Sequence, residues 1–224
     1  MGQFVKMKMS DGAEIGVHHC EPNGVRRGGL VVIQEIFGVN PHIRDVADGY
    51  AADGYEVLAP ALFDREAPGF ESDYSPATFK EAIWLAREEH PFELSIADAQ
   101  TCINALKDKG PVFMVGYCYG GSLSWASACK SEGLAAASGY YGTNIINKMM
   151  DWQPKAPVIL HFGTLDEGIP IPEVEKLKAR HPEVPVYIYE ANHGFNSDRR
   201  AAYDEASAKL AKARTLELFR KHGG

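Results

Sequence analysis

No hydrophobic run in this sequence approaches the roughly 18 apolar residues that a membrane-spanning helix needs, so a membrane-embedded function is not expected. The opening segment MGQFVKMKMSDG lacks the apolar core of a secretory leader, and Lys6 stands where a myristoylation signal starting at Gly2 would require Ser or Thr. Cysteine is scarce. Cys20, Cys102, Cys118 and Cys129 contain no C-x-x-C pair, which argues against the common zinc and dithiol patterns. Dispersed thiols suit a reducing compartment, so a cytoplasmic location is expected, with Cys102 and Cys129 in helical stretches as core filler. Positive charge is also in deficit. The formal net charge of −7 disfavours nucleic acid or an anionic membrane surface as partner, since either needs a basic face. Internal repeats and low-complexity tracts are absent.

What remains is an ordinary globular composition, 45% hydrophobic and 24% charged, in 224 residues: enough for one α/β domain with a full core and short for two. Residues 3–9 and 13–19 read as two strands joined at Ser10-Asp11-Gly12, an antiparallel edge. Apolar runs at Leu30–Ile33 and Val112–Val115 read as strands buried on both faces, and Tyr55–Ala59 and Val158–Phe162 read as further strands. Shorter strands are expected at 135–138 and 186–189. Helices are expected at 41–53, 77–89, 95–109 with Ser95 as N-cap, from Ser122, at 145–150, 172–180 and 199–221. The stretch Phe63–Pro76, with its acids, prolines and glycine, is too long for a simple connection and reads as a flap. Alternation of strands and helices implies a mostly parallel sheet with helices on both faces, whose ligands bind outside the carboxyl ends of the strands.

The chemistry-bearing residues fall at those ends. Gly116-Tyr117-Cys118-Tyr119-Gly120-Gly121 follows a strand and precedes a helix, as in the G-x-nucleophile-x-G elbow, with cysteine in the nucleophile position. A lone cysteine is ordinarily a small buried apolar residue. Here the flanking glycines and the helix start, whose free N–H groups and dipole favour thiolate over thiol, make Cys118 the candidate nucleophile. Asp166 follows the strand 158–162, with Glu167 beside it as the alternative carboxylate. His193 alone among eight histidines lies after the last strand and before the final helix. The chain order nucleophile, acid, histidine is that of the α/β-hydrolase fold. Glu35 directly follows the buried run 30–33. It reads equally as a solvated loop carboxylate or as a buried charge, which would need a partner.

These segments resemble the dienelactone hydrolase (carboxymethylenebutenolidase) family: QEIFGVN at 34–40, GYCYGG at 116–121, GYYG at 139–142, the Asp166 turn and His193-Gly194-Phe195 match in order and spacing. The resemblance spans about residues 11–219. It implies an α/β-hydrolase fold over 1–224 and a triad of Cys118, His193 and Asp166. It further implies that Glu35 holds the resting thiol and releases it when substrate binds, and that the backbone N–H groups of Ile36 and Tyr119 form the oxyanion hole. The expected substrate is a small ester or lactone, cleaved through a thioester acyl-enzyme without metal or organic cofactor, by a monomer or small homo-oligomer. Two arginines that bind the dienelactone carboxylate in that family have no counterpart in register. Lys80 and Arg199 are the nearest substitutes, although Lys lacks the bidentate fork that suits a carboxylate. A broad small-ester or thioester hydrolase, and a non-catalytic redox-sensing protein of the same fold, are the rival readings.

Overall fold

A computed structural model describes residues 2–224. Eight strands form one sheet in the order β1-β2-β4-β3-β5-β6-β7-β8. β1 (Gln3–Lys8) and β2 (Glu14–Cys20) make the expected antiparallel edge, and β2 pairs antiparallel with β4 (Tyr55–Pro60). From β4 onward every pairing is parallel, through β3 (Gly28–Ile33), β5 (Val112–Tyr117), β6 (Ala136–Tyr140), β7 (Val158–Gly163) and β8 (Val186–Tyr189). β3, β4, β5 and β7 are buried along their whole length, Glu56 and His161 included, as strands covered on both faces are. No helix among the described residues is long and apolar enough to cross a membrane.

α1 (Pro41–Ala52) packs on β2, β3 and β4, and α7 (Glu205–Lys221) on β6 and β7. α3 (Phe92–Leu106) and α4 (Tyr119–Lys130) pack against each other and on the central strands β3, β4, β5 and β6. α2 (Pro76–Trp84), α5 (Thr143–Lys148) and α6 (Ile171–Arg180) complete the set. Asn40 caps α1 by accepting from Ile43 N, with Pro41 in the first turn, where its missing N–H costs nothing.

Several boundaries differ from the sequence reading, and four helix ends stand out. α2 ends at Trp84 in a π-helical turn, Leu85–Glu89. α3 begins at Phe92, because Pro91 presets the entry backbone. Ser95 is therefore inside the helix, and its hydroxyl instead contacts Tyr119 Oη at 2.7 Å and His90 Nε2 at 3.0 Å. α4 starts at Tyr119 rather than Ser122, with Cys118 itself as N-cap. The final helix starts at Glu205, where Asp204 accepts from Ser207 N, so residues 199–204 are loop.

The stretch 63–75 is a loop, as expected, and it is tethered at both ends. Arg65 forks onto buried Asp98 of α3 at 2.7 and 2.8 Å and onto Asp11 of the edge hairpin at 2.9 and 3.1 Å. Tyr74 Oη accepts from Asn40 Nδ2 at 2.9 Å.

Candidate active site

The centre of the site is a backbone feature. Cys118 has φ 55° and ψ −107°, a left-handed conformation costly for a residue with a Cβ. The glycines around it let the surrounding chain approach. A methyl group at Gly116 would stand 2.0 Å from Gly120 O, at Gly120 2.5 Å from Ile33 O, and at Gly121 2.1 Å from Tyr140 O. Cys118 N donates to Tyr140 O and Gly120 N to Gln34 O, which fixes the elbow between the ends of β3 and β6. Cys118 is left partly exposed at the carboxyl end of β5, where the sequence pattern had put it.

The next loops converge because β7 and β8 are neighbours. Thr164 N donates to Tyr189 O and Leu165 N to Ala191 O, drawing the turn after β7 against the loop after β8. Across that seam His193 Nδ1 donates to Asp166 Oδ2 at 2.7 Å. The other oxygen of Asp166 accepts from Gly168 N, and the carboxylate is 2% exposed. Burial alone would lower the His193 pKa. The Cys118 sulfur beside the ring and the Asp166 carboxylate outweigh it and raise the value to about 10. Sulfur and imidazole are neighbours, and the bond between such a pair commonly tightens when substrate arrives. Tyr141, φ 38°, lays its buried ring 5.0 Å from the imidazole.

Of the two readings left open for Glu35, the buried one holds: it is 1% exposed, and neither carboxylate oxygen has a hydrogen-bond partner. Its ion partner is Arg200, with Nη1 3.6 Å from Oε1. Arg200 also lies over the Phe37 ring at 5.4 Å. The sequence reading missed this residue because it ran the last helix back to Arg199. Arg199 itself is exposed and pairs with Asp45, and Lys80 is exposed on α2. The neighbouring N–H groups of Ile36 and Tyr119 have no acceptor among the described residues, whereas Gln34, two residues before Ile36, is used structurally, its Oε1 accepting from Leu62 N. Glu167, the alternative orienter, makes no hydrogen bond to the imidazole among the described residues, and Asp166 holds Nδ1.

Comparison with known proteins gives the arrangement a context. The sequence model described as "Dienelactone hydrolase family" matches residues 15–223. A carboxymethylenebutenolidase of Pseudomonas putida is 29% identical over 225 residues, covering 96% of this chain and 94% of that protein. A Synechocystis protein provisionally named a carboxymethylenebutenolidase is 33% identical over 214 residues, 85% and 84% of the two chains. The crystal structure of a Klebsiella pneumoniae protein, provisionally named a dienelactone hydrolase, superposes with a TM-score of 0.82 at 29% identity, over 99% of this chain and 98% of that one.

Proposed function

The chain belongs to the dienelactone hydrolase family, and from that premise we propose that it hydrolyses lactones or small carboxylic esters through Cys118, His193 and Asp166. The observation that carries the reading is the 2.7 Å contact of Asp166 with His193 Nδ1, which leaves Nε2 as the ring atom for proton exchange beside the sulfur. When Cys118 is ionised, His193 keeps its proton through neutral pH. The thiolate attacks the ester carbonyl carbon, and the oxyanion is received by the N–H groups of Ile36 and Tyr119. Two preorganised donors of this kind are each worth about 3 kcal/mol in lowered barrier. As the C–O bond breaks, His193 gives its proton to the leaving alkoxide, and a thioester on Cys118 remains. The now neutral imidazole takes a proton from water, whose oxygen attacks the thioester and releases the acid and the thiolate.

Glu35 supplies a control on the nucleophile. Its carboxylate is turned to Arg200 and makes no hydrogen bond to the thiol, which fits the released state that the family resemblance implies. A return of Glu35 to Cys118 would re-protect the sulfur.

A broad small-ester substrate range is favoured over a dienelactone-specific one by the state of the cations near the site. Lys80 is exposed on α2, Arg199 is already paired with Asp45 on the surface, and Arg200, the cation at the site itself, is engaged by Glu35. Turnover of dienelactone, p-nitrophenyl acetate and a thioester by wild type and by Cys118→Ala tests both statements. All measurable turnover should vanish in the variant. Unchanged hydrolysis by Cys118→Ala would leave the redox-sensing alternative standing.

A further inference from the structure

The proposed reaction leaves two groups of ligand-type side chains unused, and one of them is the better built. Strand side chains alternate between faces, so His18 and Cys20 of β2 lie on the same face, where α1 brings Asp48 against them. Cys20 Sγ donates to Asp48 Oδ1 at 3.2 Å, and His18 Nε2 stands 3.9 Å from the same oxygen. The three potential ligand atoms all lie within 4.8 Å of one another.

Two further observations distinguish the cluster from an ordinary buried thiol. His18 is only 4% exposed, yet neither of its ring nitrogens has a hydrogen-bond partner, a rare condition for a buried polar group. In addition, the Gly2 backbone closes directly over the cluster. A methyl group on Gly2 would meet Cys20 Sγ at 2.4 Å and His18 Nε2 at 2.6 Å, and Gly2 N already donates to Asp48 Oδ1.

We propose that His18, Cys20 and Asp48 form a zinc site that fastens the β1–β2 edge to α1. Sulfur, imidazole and carboxylate are the donor types zinc takes together. Around a tetrahedral ion with metal–ligand lengths of about 2.0–2.3 Å, ligand atoms stand roughly 3.3–3.6 Å apart. The distances of 3.2 and 3.9 Å lie on either side of that range and the sulfur and imidazole stand within 4.8 Å of each other, so the three ligand atoms draw together as the ion binds. Thiolate and carboxylate together balance the charge of the ion, and Arg44, the nearest cation on α1, is already paired with Glu71. Asp48, one-third exposed, gives the ion its way in, and the Gly2 backbone, which stands against Cys20 Sγ and His18 Nε2, must draw back for the ion and a fourth-ligand water to seat. Burial and the Asp48 carboxylate push the Cys20 thiol up to about 12. As the zinc–sulfur bond forms, that thiol proton leaves to solvent, as in other thiolate sites. The adjacent group of His19, Glu21 and Glu56 is a poorer candidate, because Glu56 is already held by Arg26 and Lys109.

Metal-free full-length protein titrated with Co2+ tests the site by absorption spectroscopy. One equivalent should give tetrahedral cobalt bands with a sulfur-to-cobalt transition in the near ultraviolet, bleached by one equivalent of Zn2+. Cys20→Ser should lose the sulfur transition while keeping ester hydrolysis, and Cys118→Ser should keep it. Asp48→Asn, a change at a partly exposed position that the fold should tolerate, should weaken Co2+ binding by about tenfold or more. Absence of the sulfur transition in wild type would overturn the assignment. So would its loss in Cys118→Ser with retention in Cys20→Ser, or unchanged affinity in folded Asp48→Asn.

Discussion

Two side chains decide how the proposed chemistry runs. His193 is raised to about 10 although burial opposes its charge, because the Cys118 sulfur and the Asp166 carboxylate both favour the imidazolium. A nitrogen-15 titration of the ring should therefore show it protonated at neutral pH and losing its proton well on the alkaline side. In Cys118→Ala the midpoint should fall, since the largest favourable influence has gone. Asp166→Asn should keep the fold and lower kcat by about 10^3–10^4-fold, the cost of losing the tautomer and charge support of the base. At Glu35 the balance is between a carboxylate almost wholly out of water and a guanidinium one-quarter exposed. Arg200→Ala strands that carboxylate. The destabilisation should be about 2–3 kcal/mol in urea unfolding, somewhat under the 3–5 kcal/mol of a fully buried pair, and Glu35→Gln in the same chain should restore part of it. The positions of Cys118, Asp166 and His193 at one rim were legible because each follows a strand. Arg200 was not, because its charge gives no signal of where a helix begins.

At the level of the element, the elbow depends on absent side chains. Gly121→Ala would drive a methyl group against Tyr140 O, a backbone atom that cannot yield without moving β6, whereas Gly12→Ala at the hairpin tip meets nothing and suffers only its positive φ. The first should exceed the second by at least about 2 kcal/mol in denaturant unfolding, with loss of ester hydrolysis only in the first. Helix boundaries were the least legible part of the sequence, for reasons that can be named. Ser95 has the composition of an N-cap, but Pro91 takes the turn and Ser95 is spent on Tyr119 and His90. Charged residues from 199 onward continue a helical pattern, yet Asp204 supplies the stronger start by accepting from Ser207 N. The stretch Gly116–Gly121 reads as a turn with the helix from Ser122, while the chain enters the helix immediately after Cys118.

Across the molecule, the alternation of buried strands and helices was enough to read a parallel sheet with an antiparallel edge, since a strand covered on both faces has no polar alternation to disguise it. The same architecture explains why residues 35, 118, 166 and 193 share one rim: each follows a parallel strand and must emerge at the same end. The flap is fastened to that body by Arg65, which joins it to α3 and to the edge hairpin. Arg65→Ala would leave Asp98 buried without its cation and should cost about 3–5 kcal/mol, read as a lowered urea midpoint. The central claim is that hydrolysis passes through an acyl group on Cys118, and its most direct measurement is the mass of the intact protein quenched during turnover of p-nitrophenyl acetate. The account predicts a species heavier by one acetyl group that maps to Cys118 and is missing in Cys118→Ala. Rapid turnover with no acyl adduct on Cys118, and with the same rate in Cys118→Ala, would contradict it.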